Sequence, residues 1–216
     1  MRKLEILQGH GARRILFLGA HADDIEIGCG GTVLRLLSER SDLEVRWVVF
    51  SATSERAEEA RSSAAAFLAG VPQATVVVRD YRDGYLPWSG PAIKEEFEGL
   101  KRDFVPDLIF THYRHDLHQD HRLVSELTWN TWRNHFILEY EVPKFDGDFG
   151  SPNFFSALPA ATLERKIALV LRHFATQAGR QWFTPDLFRA VARIRGMECV
   201  APETFAEAFY CRKAVF

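Results

Sequence analysis

Cysteine, methionine and long apolar runs are what this sequence has least of. Its three cysteines, Cys29, Cys199 and Cys211, are scattered over 216 residues. They are odd in number and lack the close spacings of a structural zinc site or a disulfide framework. A reducing, cytoplasmic setting is the matching expectation. Apolar runs stop within a few positions, as at 45–50 and 205–208, far short of the roughly 20 residues that a membrane-spanning helix needs. Residues 1–5 carry no apolar core of signal-peptide length. Excess charge is missing too. The 27 Lys and Arg face 29 Asp and Glu, for a net charge of −2, which excludes a general pull toward nucleic acid or anionic lipid.

What remains is an ordinary globular composition, 47% hydrophobic and 26% charged, in a chain long enough to bury one sizeable core. Apolar runs alternate with helical stretches, the pattern of βαβ units. Strands are expected at residues 14–20, 44–50, 74–79, 107–111 and 136–142, with a last short one at 209–215. Helices are expected at 32–39, 55–68, 92–104, 122–133, 163–177 and 185–195. Residues 144–159, dense in Gly, Asp, Asn and Pro, predict a long irregular excursion. No repeat or linker divides the chain. The fold class expected is α/β, a Rossmann-like, doubly wound, mostly parallel sheet flanked by helices. It forms a single domain over residues 1–216 with a C-terminal elaboration.

In such sheets ligands bind beyond the carboxyl ends of the strands. Two segments there carry chemistry. After the first strand come His21, Ala22, Asp23 and Asp24. After the fourth, residues 112–121 hold four of the chain's eight histidines, with Asp116 and Asp120 among them. Neighbouring carboxylates at a buried strand end repel unless a cation neutralises them. Imidazoles beside them make a donor set of the right hardness for a divalent metal such as zinc. A solvated His-rich loop and an Asp pair that merely caps a helix are the bland alternatives, and the pairing of both segments at strand ends favours the metal. Gly28, Cys29, Gly30 and Gly31 predict a turn whose backbone N–H groups approach a ligand at a helix start. Their spacing is not that of a dinucleotide fingerprint, and Cys29 reads as a small residue, not as a nucleophile.

At these residues the chain resembles the PIG-L/LmbE family of zinc-dependent N-acetylglucosaminyl deacetylases. The resemblance rests on Ala20 to Asp24, on Gly28 to Gly31, and on His118, Gln119, Asp120 and His121. Arg56, Glu59, Asp83, Gly84, Arg195, Gly196 and Ala206 to Phe209 support it. Ala22 and Gln119 stand where the family commonly has proline. The resemblance implies His21, Asp24 and His121 as ligands of Zn2+, or of another divalent metal such as Fe2+. It also implies Asp23 as general base, His118 as acid and oxyanion support, and Asp120 as an acceptor behind a histidine. Arg56 and Asp83 would contact the sugar. Some members are thought to use a tyrosine for the oxyanion two residues before the His118 position; Asp116 stands there in this chain, leaving Tyr113 as a substitute.

The activity implied is removal of the N-acetyl group from an N-acetylglucosamine-type sugar, in a glycoside, sugar nucleotide or glycolipid. Partners would be that small molecule alone, with no nucleic acid and no membrane span, and a homo-oligomer is compatible. The rivals are a zinc amidase for a non-sugar or thiol-conjugate amide, and a non-catalytic metal or sugar-nucleotide binding domain. Lys144, Asp146, Asp148 and Asn153 offer polar groups to sugar hydroxyls. Trp88 and Trp182 offer faces for stacking, with core packing the default for each.

Overall fold

In the computed structural model, residues 12–215 are described; residues 1–5, read above for a signal peptide, lie outside them. The strands are β1 (Arg14–His21), β2 (Glu44–Ser51), β3 (Gln73–Val78), β4 (Leu108–His112), β5 (Phe136–Tyr140), β6 (Phe154–Leu158) and β7 (Phe205–Cys211). The α-helices are α1 (Asp24–Glu39), α2 (Ser54–Phe67), α3 (Gly90–Asp103), α4 (Gln119–Thr131), α5 (Ala160–His173) and α6 (Pro185–Glu198). They build one α/β domain on a seven-stranded sheet in the order β3-β2-β1-β4-β5-β7-β6. Strands β1 to β5 pair in parallel, and β7 runs antiparallel to both β5 and β6.

Alternation along β1 divides the core. Ile15 and Phe17 face α1, α2 and α5, and Phe17 lies 5.5 Å from the Trp47 ring and 4.9 Å from that of Phe110. Leu16 and Leu18 face the other layer, with Phe50, Phe97 and Trp132. Both faces are covered, so the parallel strands read as continuous apolar runs. The strand order reverses between β1, whose chain continues toward β2, and β4 on its other side. That is the switch point of a doubly wound sheet. The segments after β1 and β4 therefore meet.

Four expectations are corrected. Helix α1 starts at Asp24, eight residues before the expected start, and Gly28, Gly30 and Gly31 lie inside it. They are there for close packing: a Cβ on Gly28 would collide with the Tyr140 ring, and one on Gly31 with Leu158 and Glu207. Helix α4 starts at Gln119, which puts His121 in its first turn and not in a loop. The excursion over 144–159 contains the edge strand β6, and the last strand lies at Phe205–Cys211. Strand β6 pairs only with β7, and β7 pairs with β5 and β6, non-local partnerships with no local signal.

The supporting motif residues near the C-terminus have structural work. The Glu207 carboxylate accepts the backbone N–H groups of Gly31 (2.8 Å) and Thr32 (2.6 Å), and the Lys166 ammonium beside it donates to the Ile27 carbonyl at 2.7 Å. A buried ion pair is thus spliced into α1, joining the site-bearing helix to α5 and β7. Arg195 from α6 pairs with Glu141 at 2.8 Å. Among the described residues, no helix is long and apolar enough to cross a membrane.

Candidate metal centre and catalytic cluster

His21 ends β1, Asp23 occupies the N-cap position of α1, and Asp24 is that helix's first residue. Across the switch point, His118 caps α4 and His121 lies in its first turn. The two imidazoles are oriented by carboxylates behind them. His21 Nε2 lies 3.1 Å from Asp120 Oδ2, and His121 Nδ1 lies 3.0 Å from Asp116 Oδ2. With the proton on each of those nitrogens, the opposite nitrogen of the neutral ring would present a lone pair. The lone pairs converge. His21 Nδ1 and His121 Nε2 are 3.1 Å apart, and Asp24 oxygens lie 3.3 Å from the first and 3.5 Å from the second.

Three electron pairs at such spacing repel one another unless a cation or a proton stands among them. Tetrahedral donors around zinc, at bond lengths of about 2.0–2.1 Å, sit roughly 3.3–3.4 Å apart. The Asp24 distances involve two different oxygens. Among the described residues, the groupings whose donor atoms lie close enough to share one ion are His21 with His118 and His121, Asp24 with His112 and His121, and His21 with Asp83 and Asp120. This His/Asp chemistry suits a divalent ion. Without an ion, the charges redistribute. His21 is buried, which disfavours its charge, but Asp24 and Asp120 outweigh burial and hold it well above the usual imidazole range. Asp24 is buried as well, yet His121, His112 and His21 keep it well below the usual carboxylate range. Burial and the neighbouring His112 push His121 down to about 4.

Asp23 has a different environment. Burial raises it, and Arg56, donating to its Oδ1 at 2.9 Å, works in the opposite direction. Arg56 is held in turn by Glu59 at 3.1 Å. Asp23 is also within the electrostatic reach of Asp24, which raises it, and of His21, which lowers it. His118 Nδ1 accepts the backbone N–H of Asp120 at 3.3 Å, which leaves the proton on Nε2. Its ring centroid lies 4.9 Å from that of His21 and 4.7 Å from that of His121. Burial and the His21 charge lower its pKa.

His21, Asp23, Asp24, Arg56, Asp83, His118, Asp120 and His121 are brought together here. Asp83 reaches His21 Nε2 at 3.1 Å while remaining 78% exposed. The loop that carries it is pinned to Asp120, which accepts the Gly84 and Leu86 N–H groups at 2.8 and 3.1 Å.

Two residues of the cluster, Asp116 and His112, had been given no individual role, and a third, Lys144, had been given a different one. Asp116 orients His121 and accepts the His118 N–H at 2.8 Å. Lys144 neutralises Asp116 at 2.9 Å and is itself held by Asp148 at 2.6 Å. His112, fully buried, has its Nε2 3.2 Å from Asp24. The signal for Asp116 was its place five residues before His121, which brings the carboxylate back onto the first turn of α4. Lys144 left no such signal.

The sugar-facing roles expected of the 144–159 segment are corrected accordingly. Lys144 and Asp148 bind each other and the His121 support, and the Asn153 side chain bonds the Cys211 backbone. Asp146 is exposed. Tyr113 stacks on Tyr210, centroids 3.8 Å apart, and Tyr210 donates to Glu141. Cys29 is buried, and burial pushes its thiol well above the usual range, the opposite of a nucleophile. Trp182 is half-buried and packs edge-on against Phe183, whereas Trp88 is 72% exposed, against the core default.

The PIG-L family profile, GlcNAc-PI de-N-acetylase, matches residues 16–132. The chain belongs to that family and is a deacetylase of the PIG-L/LmbE type, a hydrolase of amide C–N bonds. Among solved structures it is similar to the N,N'-diacetylchitobiose deacetylase of Pyrococcus horikoshii, with 22% identity, a TM-score of 0.71, and 92% of this chain and 83% of that one covered. The A40926 pseudoaglycone deacetylase Dbv21 aligns at 19% identity and TM-score 0.64, over 94% of this chain and 99% of that one. GalB, the 4-carboxy-2-hydroxymuconate hydratase of Pseudomonas putida KT2440, aligns at 16% identity and TM-score 0.76, over 94% and 98%. The same fold thus carries a different reaction, and the site residues must decide the chemistry.

Proposed function

We propose that this deacetylase removes the N-acetyl group of an N-acetylglucosamine-type sugar with the help of one divalent ion, zinc in the first instance. The ion would be held by His21 Nδ1, Asp24 and His121 Nε2. The observation that carries the reading is the convergence of these three donors at 3.1–3.5 Å beside a carboxylate, Asp23, that is not one of them. When bound, such an ion supplies Lewis acidity and a water acidic enough to react near neutral pH.

The chain supplies the rest. Asp23, raised by burial, accepts a proton from the attacking water and returns it to the departing nitrogen. That return takes over the acid role expected of His118, because burial and the His21 charge lower the His118 pKa. Arg56 fixes the Asp23 carboxylate through its Oδ1. His118 points an Nε2–H toward the carbonyl oxygen as negative charge develops there, a donor that needs no protonated imidazole. Asp120 and Asp116 hold the two imidazoles in the required tautomers. Asp83 and Arg56, at the rim, are the groups proposed to meet sugar hydroxyls.

Acetate release is the test. Metal-loaded protein is assayed against N-acetyl sugars and, in parallel, against N-acyl amino acids and thiol-conjugate amides, before and after chelation. Release from the sugars that stops on chelation and returns with zinc supports the reading. Release from the non-sugar amides alone transfers it to the amidase class, and binding without turnover of any amide ends it.

A further inference from the structure

The proposed donors meet where strands β1 and β4 stop pairing. The last backbone pair between these strands is Phe17 with Phe110. Beyond it, side chains take the place of the ladder. His112, at the end of β4, accepts the Ala20 N–H on its Nε2 at 2.9 Å, and the Tyr140 hydroxyl donates to the Leu18 carbonyl at 2.6 Å. Tyr140 pairs with His112 across β4 and β5, and its hydroxyl lies 3.3 Å from the same Nε2. Both rings are fully buried.

His112 reaches every part of the donor set. Ala20, whose N–H it accepts, is the residue before His21. Asp24 Oδ2 lies 3.2 Å from His112 Nε2, and that oxygen also accepts the His21 N–H at 2.6 Å. The His121 ring stacks on the His112 ring, centroids 4.0 Å apart and planes 22° from parallel. His112 is thus close enough to Asp24 and His121 to share an ion with them. A ligating nitrogen needs a free lone pair, however, and that of Nε2 is taken by the Ala20 N–H. The other ring nitrogen, Nδ1, has no hydrogen-bond partner among the described residues. A stranded buried nitrogen costs stability, and a phenyl ring would fill the same space without it. What the imidazole adds therefore lies at Nε2.

Resting on the reading of His21, Asp24 and His121 as the donors of an ion, we propose that His112 is a positioning residue. Its Nε2 bond to Ala20 replaces the missing β1–β4 ladder and fixes the turn from Ala20 to Asp24 against His121. Donors that must converge on one point need such support from behind.

The experiment compares wild type with His112→Phe, which keeps the ring, and His112→Gln, which offers an acceptor at the reach of Nε2. Zinc affinity is read by competition with a chromophoric chelator, and donor geometry by the visible absorption of bound cobalt(II). In metal-free protein, the Ala20 amide exchange rate and the urea midpoint are measured. His112→Phe should lose about 10–100-fold in zinc affinity, alter the cobalt spectrum, and speed Ala20 exchange about tenfold, the worth of one buried hydrogen bond. His112→Gln should restore most of all three. A His112→Phe protein that matches wild type with zinc and cobalt and differs only in urea midpoint overturns the proposal. So does zinc lost equally in both variants while His112→Gln keeps slow Ala20 exchange, which makes His112 a direct ligand. If His112→Phe does not fold, His112→Asn, whose amide reaches the place of Nδ1 and not of Nε2, takes its part in the comparison. If wild type binds neither ion, the metal reading fails, and Ala20 exchange alone judges the positioning role. Exchange that is the same in all variants overturns it.

Discussion

The Nδ1 of His121 lies 3.0 Å from Oδ2 of Asp116, and the same oxygen is 2.9 Å from the Lys144 ammonium. His21 is held in a parallel way by Asp120, but that carboxylate is anchored by two backbone N–H groups and no cation. The two imidazole donors are therefore fixed by different means, one from the α4 turn and one from the segment after β5.

Replacing Asp116 with Asn keeps the size and removes the charge that fixes the His121 tautomer. Metal affinity is expected to fall about 10–100-fold, the usual effect of losing such a carboxylate. Competition with a chromophoric chelator measures it, and unchanged affinity would leave Asp116 a purely structural residue.

The adjacent aspartates should respond differently to one substitution. Asp23→Asn is expected to retain zinc and lose roughly 10²–10⁴ in rate. Asp24→Asn exchanges an anionic donor for a neutral amide, so the metal itself should be lost and excess zinc should partly restore activity. Zinc content and initial rate, with and without added metal, separate the two. Metal lost at 23 and kept at 24 would exchange the roles.

His121→Ala removes one of the three converging donors and should abolish bound metal and activity together. A variant that keeps full zinc occupancy removes His121 from the ligand set.

On the proposed reading, zinc would displace a proton from the metal-free cluster. Asp24 and Asp120 raise His21 against its burial, so the imidazole stays protonated above its ordinary pKa of about 6.5. Its Nδ1 binds metal only after that proton leaves. Zinc affinity should therefore rise with pH above this ordinary value and level off once His21 is neutral. Calorimetry in buffers of different ionisation enthalpy reads the proton released. No proton release near pH 7 contradicts the arrangement.

The spliced ion pair in α1 makes a stability prediction. Lys166→Met strands the Glu207 carboxylate, 5% exposed, and should cost about 3–5 kcal/mol, read as a lower urea midpoint. Gly28→Ala should cost about 1–3 kcal/mol through overpacking against Tyr140.

Much of this was legible in the chain alone. The apolar runs at β1, β2 and β4 and the helical patterns between them determined a parallel sheet, because strands buried on both faces need continuous apolar residues. His21, Asp23, Asp24, His118 and His121 stood out because paired carboxylates and clustered imidazoles at strand ends are costly without a cation. Tertiary structure decided which carboxylate stands behind each histidine, since Asp120 lies 99 residues from His21 in the chain. It also decided that Lys144 supports His121, that the glycines of α1 make room for Tyr140 and Glu207, and that Trp88 stays at the surface. Each of these depends on contacts between segments distant in sequence, and local propensity does not record which distant segment the sheet will bring alongside.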